Sequence, residues 1–158
     1  MKIKKPSLLI FSILISNLAG FIGAFATTPA IPNWYAGLVK PSFNPPNQIF
    51  GPVWTVLYTM MGISLYLVLS KGFKKKKIKK AANFFFVHLI FNSLWSIIFF
   101  GMQNLSLALM VIIILWLMIV YLINIFWKID RKASYLLVPY VLWVSFATLL
   151  NYSIWILN

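Results

Sequence analysis

The chain has 158 residues, of which 62% are hydrophobic and only 9% charged, and its mean hydropathy is +0.91. Soluble domains are about 45–50% apolar and about 25% charged, so this composition excludes a soluble globular fold and indicates an integral membrane protein. Fourteen basic residues accompany one acidic residue, Asp130, and one histidine, His88, and cysteine is absent. This composition argues against paired-carboxylate catalysis, thiol chemistry, disulfides and a metal site made by the protein alone, and we expect no cofactor.

Five segments are apolar enough to cross a bilayer, which takes about 20 residues. The sequence therefore predicts an all-α fold, with residues 1–158 forming one domain of five transmembrane helices. The predicted ranges are 6–26, 48–70, 81–101, 105–127 and 133–156. The first apolar run is longer than a typical signal-peptide core, and no clean small-residue cleavage site follows it. We therefore expect it to remain as the first helix.

The segment between the first two predicted helices is rich in proline. Six of the eight prolines fall in or beside it, namely Pro29, Pro32, Pro41, Pro45, Pro46 and Pro52. Proline fixes φ and biases the preceding residue toward extended backbone, so the loop predicted over residues 27–47 should be stiff. Because this loop also carries Trp34, Tyr35 and Lys40, we expect it to act as a lid over a binding site.

Basic residues alternate between the two sides of the predicted membrane. Three lysines precede the first helix, seven lie between the second and third helices, and Lys128, Arg131 and Lys132 lie between the last two. The first loop holds only Lys40. By the positive-inside rule, the N-terminus is predicted to be cytoplasmic, with the first loop and the C-terminus on the opposite side. Lysines that flank apolar segments favour anionic lipid headgroups as partners and argue against nucleic acid.

Three of the predicted helices carry an aromatic and polar stripe along one face. The stripes are Trp54, Tyr58, Met61 and Leu65 in helix two, His88, Asn92, Trp95 and Phe99 in helix three, and Tyr140, Trp143, Ala147 and Asn151 in helix five. Residues at this spacing share one side of a helix. Polar groups are costly in hydrocarbon, so the stripes should face inward and form a pocket for a flat, largely apolar ligand.

The other two helices have different surfaces. Helix one carries a stripe of small residues that permits close approach of a neighbouring helix, namely Ser16, Gly20, Gly23 and Thr27. Helix four is apolar on almost every side. We expect it to meet lipid or another subunit.

Each candidate residue also has a simpler structural interpretation. Asn92 and Asn151 can serve only to cross-link helices by hydrogen bonds. His88 can be a hydrogen-bonded interior histidine, since no second histidine supports a six-coordinate haem. Tryptophan and tyrosine are enriched at membrane surfaces, an alternative that applies to Trp34, Tyr35, Trp127 and Trp155.

Three blocks of the sequence resemble the signature of the translocator protein family, also called TspO/MBR or tryptophan-rich sensory proteins. They are WYAGLVKPSFNPPNQIFGPVWTVLYTMMG at 34–62, FNSLWSIIFFG at 91–101 and LLVPYVLWVSFATLLNYSIW at 136–155. The resemblance implies a bundle of five helices, commonly dimeric, that binds porphyrin-type tetrapyrroles under the first loop. The residues that it implies as lining or closing the pocket are Trp34, Tyr35, Trp54, Tyr58, Asn92, Trp95, Trp143, Ala147 and Leu150.

Three functional hypotheses follow. The leading one is a membrane receptor or transporter that stacks tetrapyrroles on aromatic side chains, with Lys40 paired to a propionate. The second, implied by the resemblance, is light- and oxygen-dependent porphyrin degradation that uses Trp54 and Trp143. The third is a structural scaffold whose stripes only pack helices. Sterol binding is not predicted, because no basic residue follows Tyr152. The lysine- and isoleucine-rich composition favours a bacterial cytoplasmic membrane.

Overall fold

The structure, a computed structural model, describes residues 5–158 and contains five helical segments long and apolar enough to cross a membrane. Two π-helical turns, Ile31–Tyr35 and Ile97–Gly101, extend the first and third helices. Within residues 5–158 there is no β-strand, so the predicted all-α bundle is confirmed. The helices are α1 Pro6–Ala30, α2 Asn47–Leu69, α3 Lys76–Ser96, α4 Leu105–Trp127, the short α5 Arg131–Tyr135, and α6 Val138–Leu157.

The first helix is longer than predicted, and the first loop is correspondingly shorter. Residues 27–35 were expected to open the loop, but they continue α1 and its π-helical turn, and irregular backbone is confined to residues 38–46. Pro29 and Pro32 both lie inside this helical stretch. A proline removes one helical hydrogen bond and crowds the carbonyl group four residues earlier, and a π-helical turn relieves such crowding. Trp34 and Tyr35 therefore belong to a helix and not to the loop.

The fifth predicted helix is divided into α5 and α6, and local chemistry explains where each begins. The Asp130 carboxylate accepts a hydrogen bond from the Lys132 main-chain nitrogen at 2.9 Å and so caps α5. Pro139 lies in the first turn of α6, where its missing N–H costs nothing. Asn104 caps α4 in the same way, accepting from the Leu107 nitrogen at 3.0 Å. These side chains satisfy N–H groups that have no partner within their helix.

The helices form a ring in the order α1, α2, α6, α4, α3. α1 packs against α2 and α3, and α4 packs against α3 and α6, but α2 makes few contacts with α6. The end of the bundle that includes the α2–α3 connection is filled by fully buried apolar side chains, namely Leu65, Phe85, Leu122 and Phe126. The weak α2–α6 contact leaves the interior open at the other end, where the first loop lies.

Small residues and hydroxyl groups bring α1 close to its neighbours. A Cβ atom on Gly62 of α2 would lie 2.5 Å from the Ile13 Cα atom of α1. The Ser93 hydroxyl donates to the main-chain oxygen of Ala19 at 2.8 Å, and Thr27 and Ser96 join their hydroxyl groups at 2.6 Å. Small side chains and interhelical hydrogen bonds are the usual means of helix association in membranes. The small-residue stripe predicted for helix one therefore does serve close packing.

The α2–α3 and α4–α5 connections meet at the same end of the bundle. The Lys71 ammonium group lies 2.7 Å from the Asp130 carboxylate, and Lys77 donates to the main-chain oxygen of Lys128 at 2.8 Å. Because α1 is antiparallel to α2, Lys5 lies at this end as well.

Basic residues are therefore gathered at one end of the bundle, as the sequence predicted. Lys40 lies at the opposite end, in the first loop, whereas Lys2 and Lys4 lie outside the described residues. Which end faces the cytoplasm stays a prediction from the positive-inside rule.

We expect Gly62→Ala to lower the thermal stability, because the added methyl group would overlap main-chain atoms of α1 that cannot rotate away. Overpacking of this kind costs about 1–3 kcal/mol. The matched control is Gly51→Ala in the same helix, since an added Cβ there has nothing within 4 Å. Thermal unfolding in detergent micelles would test both variants. Equal melting temperatures for wild type and Gly62→Ala would contradict the close approach.

Asp130 should make the stability dependent on acid. Burial raises the pKa of its carboxyl group, but the Lys71 ammonium and the main-chain N–H groups of Lys132 and Ala133 outweigh burial and hold the pKa below its usual value. A lowered pKa in the folded state stabilises the protein above the ordinary carboxyl range. That contribution is lost as the pH falls through and below the ordinary carboxyl range and the carboxylate is protonated.

Asp130→Asn keeps the capping oxygen and removes the charge, so it should weaken this acid dependence. Asp130→Ala should in addition lose about 1 kcal/mol with the cap. Melting temperatures at pH 7 and pH 3 would separate the two effects. The same acid dependence in Asp130→Asn as in wild type would show that the ion pair adds no stability.

Candidate ligand-binding site

A cavity of about 830 Å³ lies between α1, α2, α3 and α6, at the end of the bundle that holds the first loop. Pockets that bind small molecules typically measure about 300–1,000 Å³. Its walls are mainly apolar and aromatic. Eight of the eleven residues predicted for the ligand site line it, namely Tyr35, Trp54, Tyr58, Asn92, Trp95, Trp143, Ala147 and Leu150.

Trp54 lies at the centre of one aromatic wall. Its ring stacks on Tyr58 with centroids 5.5 Å apart, and it lies 6.3 Å from Trp95 and 6.2 Å from Tyr140. Gly20 of α1 leaves the space that the Tyr58 ring occupies, because a Cβ atom at Gly20 would overlap that ring. Trp54 and Tyr58 of the stripe predicted for helix two therefore face the cavity with flat π surfaces, whereas Met61 and Leu65 are fully buried outside its lining.

Trp143 forms the facing wall on α6 and carries an unpaired hydrogen-bond donor. Its ring packs 6.1 Å from Phe50 and 5.5 Å from Phe146. Within residues 5–158, its indole Nε1 is the one buried side-chain nitrogen or oxygen atom that has no hydrogen-bond partner. Leaving a buried donor unpaired costs about 1–3 kcal/mol. By contrast, the Trp95 indole N–H is already used, since it donates to Asn151 Oδ1 at 3.2 Å.

A chain of buried hydrogen bonds runs behind the aromatic wall and joins α2, α3 and α6. Tyr58 donates to Asn92 Oδ1, and Asn92 Nδ2 donates to the Tyr140 hydroxyl at 2.9 Å. The Tyr140 hydroxyl lies 2.9 Å from His88 Nε2, and His88 Nδ1 lies 3.2 Å from the Phe85 main-chain oxygen. His88, which the sequence places on an inward-facing stripe, therefore does not line the cavity. It is fully buried behind Tyr140 and Asn92.

Trp34 and Lys40 also lie outside the cavity lining. Trp34 packs edge-on against Phe99, with centroids 5.6 Å apart, where the two π-helical turns meet. The Lys40 ammonium donates to the main-chain oxygens of Ala36 at 3.1 Å and Leu38 at 2.9 Å. The structure thus turns the Lys40 side chain back onto the carboxyl end of the preceding helical stretch, where a cation is stabilised by the last carbonyl groups.

The first loop is attached to Tyr35 on one side and to α6 and the residue that follows it on the other. Tyr35 donates to Asn44 Oδ1 at 2.8 Å, and the Phe43 ring lies 6.2 Å from Phe146 of α6. The Asn158 side chain forms two hydrogen bonds with the Val39 main chain, each 3.0 Å long. No periodic pattern in the sequence marks Asn158, because it is an isolated polar residue after a helix.

Between α1 and α2 the cavity is open at the side. Its lining there includes side chains that are themselves exposed, namely Phe11, Leu14, Leu18 and Phe21 of α1 and Thr55 of α2. α1 therefore supplies a wall of the cavity, although its sequence indicated only a packing surface. The opening is directed to the apolar flank of the bundle, where lipid would lie.

The family profile described as TspO/MBR family matches residues 12–156. The chain belongs to the TspO/MBR family. The matched range includes every cavity-lining residue except Phe11. The resemblance inferred from the three sequence blocks is thereby confirmed, and the chain is an integral membrane protein of this family.

Relatives of this family cover most of the chain. The tryptophan-rich protein TspO of Archaeoglobus fulgidus is 45% identical over 150 residues, which cover 95% of this chain and 96% of that protein. The protein CrtK of Rhodobacter capsulatus is 37% identical over 140 residues, covering 89% and 86%. The human Translocator protein is 34% identical over 144 residues, covering 90% and 85%. The similarity thus extends over all five membrane-spanning segments.

Proposed function

We propose that this TspO/MBR protein is a membrane receptor or transporter that binds porphyrin-type tetrapyrroles and similar flat hydrophobic ligands in the cavity. The observation that carries the proposal is a cavity of about 830 Å³ with aromatic side chains on α2, α3 and α6 in its walls. The ligand would insert between the wall formed by Trp54 and Trp95 and the wall formed by Trp143.

Stacking supplies most of the affinity in this proposal. Aromatic side chains bury large apolar areas, and stacked or edge-on ring pairs add about 0.5–1.5 kcal/mol beyond that burial. A macrocycle has two flat faces, so it can use both aromatic walls together. The walls stand on different helices, which means that a ligand between them also joins α2 and α3 to α6.

The Trp143 indole N–H is shielded from the cavity, so its ring would have to rotate for the N–H to donate to an acceptor on the ligand edge. A carboxylate is the strongest candidate, since hydrogen bonds to charged groups are shorter and roughly twice as strong as neutral ones. The Lys40 ammonium is held by the main-chain oxygens of Ala36 and Leu38, so we assign Trp143 the role that the sequence suggested for Lys40.

We expect Trp143→Phe to weaken protoporphyrin IX binding about tenfold, because phenylalanine retains a ring but loses the donor. Tryptophan-fluorescence quenching of detergent-purified protein, titrated in the dark, would measure the affinity. The matched control is Trp155→Phe on the same helix, since Trp155 is 45% exposed and does not line the cavity. Its affinity should equal that of wild type.

Non-saturable quenching that is the same in wild type and both variants would contradict the proposal. It would mean that porphyrin only partitions into the micelle. The interpretation of the bundle as a structural scaffold would then be favoured.

A second candidate function is photo-oxidative porphyrin breakdown. It is favoured by the ring contacts of Trp54, which lies within 6.3 Å of Tyr58, Trp95 and Tyr140. Such a group of oxidisable rings beside a bound, light-excited porphyrin would relay electrons from the porphyrin to molecular oxygen. Molecular oxygen would be the final oxidant, and the porphyrin the molecule that is consumed.

We expect Trp54→Phe and Trp143→Phe to abolish this breakdown at saturating porphyrin, where weaker binding no longer limits the rate. The loss of porphyrin absorbance under illumination in air would measure it, with a dark sample and Trp127→Phe as controls. Trp127 is exposed and remote from the cavity. Breakdown at the wild-type rate in both pocket variants would exclude a catalytic role for these tryptophans.

A further inference from the structure

The hydrogen bonds of the chain behind the aromatic wall all donate in the same sense, from Tyr58 toward Phe85. The bond between His88 and the Phe85 oxygen, at the end farthest from the cavity, determines that sense. The main-chain oxygen of Phe85 can only accept, so His88 Nδ1, 3.2 Å away, carries the imidazole proton. In a neutral imidazole the other nitrogen is then an acceptor. His88 Nε2 therefore receives the hydroxyl proton of Tyr140, which lies 2.9 Å away.

The same logic fixes the remaining two side chains. Since the Tyr140 proton is given to His88, the Tyr140 oxygen accepts from Asn92 Nδ2 at 2.9 Å. The Asn92 amide must then present Oδ1 to Tyr58, whose hydroxyl group donates to it. The Tyr58 proton is thus given to Asn92, and any further hydrogen bond to the hydroxyl of this cavity-lining residue must be accepted by its oxygen.

The opposite direction is disfavoured by burial. If Tyr58 turned its proton to the cavity, Asn92 would have to rotate, and Tyr140 would give its proton to Asn92. His88 Nε2 would then need the imidazole proton, and its bare Nδ1 would face the lone pairs of the Phe85 carbonyl. His88 and Tyr140 are fully buried, so no solvent can repair that mismatch.

We propose that His88 is a specificity-determining residue, which acts through Tyr140 and Asn92 to make Tyr58 a hydrogen-bond acceptor in the cavity wall. The ligand class that this selects is a flat apolar molecule with an N–H or O–H donor on its edge. The inference rests on the proposed function only in that the cavity is the ligand site, and it does not require a tetrapyrrole.

His88→Leu removes the terminal acceptor and should reverse the chain. The Tyr140 proton would then be given to Asn92 Oδ1, Asn92 Nδ2 would donate to Tyr58, and the Tyr58 proton would turn to the cavity. The variant should therefore prefer ligands that carry an acceptor. His88→Gln retains a side-chain oxygen that can accept from Tyr140, so it should keep the wild-type preference.

Two isosteric probes distinguish a hydrogen-bond acceptor from a hydrogen-bond donor in the cavity wall. Carbazole carries an N–H donor, and dibenzofuran has an oxygen acceptor at the same position of the same tricyclic frame. We expect wild type and His88→Gln to bind carbazole about five- to tenfold more tightly than dibenzofuran, the value of one neutral hydrogen bond. His88→Leu should lose or invert this ratio, and Tyr58→Phe should abolish it. Fluorescence titration in micelles gives both affinities.

A second measurement does not depend on any variant folding. His88 is the only histidine in the chain, so ¹⁵N-histidine labelling of wild-type protein reports its tautomer without assignment. We expect a protonated Nδ1 and an unprotonated Nε2. A protonated Nε2, or equal carbazole-to-dibenzofuran ratios in wild type and folded His88→Leu, would overturn the proposal.

The outcome is separable from that of the tetrapyrrole proposal. If protoporphyrin IX binding fails but carbazole is preferred and the preference depends on His88, the inference stands and the tetrapyrrole assignment is wrong. If neither tricyclic probe binds in a saturable way but protoporphyrin IX does, the inference is wrong and the tetrapyrrole assignment stands; if none of the three binds, both are wrong.

Discussion

Inside a bundle that spans a bilayer, a polar side chain has no water to bind and must find its partner in the protein. The hydroxyl groups of Ser93 and Ser96 on α3 donate to main-chain oxygens of α1 at 2.8 and 3.0 Å. Ser64 of α2 donates to the Ala133 oxygen of α5 at 2.7 Å. These bonds set the spacing between helices, and that spacing decides where the bundle is filled and where it stays open.

The two halves of the bundle consequently have different tasks. Near the basic end, side chains such as Phe85 and Phe126 are fully buried and hold the helices together. Toward the first loop, the small residues of α1 make room for the rings of α2 and leave a cavity. The interactions that stabilise the fold are thus largely separate from those that a ligand would use, although the chain from Tyr58 to His88 connects the two halves.

The sequence predicted features that repeat along a helix and missed those that depend on contacts between distant segments. Trp54, Trp95 and Trp143 line the cavity as predicted, because helical periodicity alone places each of them on the inward face of its helix. The sequence did not predict that α1 continues through Pro29, because proline patterns indicate only the local backbone preference. The need for intrahelical hydrogen bonds in hydrocarbon overrides that preference. The position of Lys40 was missed as well, because the direction of a loop side chain follows no period.

The interior role of His88 illustrates the same limit. Its partner Tyr140 lies 52 residues away in the sequence. The periodicity within each helix does not indicate which residue of the α3 stripe contacts which residue of the α6 stripe. The sequence identified both residues as inward-facing. Only the side-chain hydrogen bonds between α3 and α6 show that His88 lies one layer deeper than the cavity wall.

Because the cavity opens sideways between α1 and α2, a dissociation constant measured for this protein depends on the phase in which the ligand concentration is expressed. A hydrophobic ligand would reach the cavity from the surrounding bilayer, so its relevant concentration is the number of molecules per unit volume of lipid. Partitioning into the membrane raises that concentration far above the value in the aqueous phase. An apparent dissociation constant expressed per litre of buffer would therefore vary with the amount of lipid or detergent present, although every contact in the cavity stayed the same.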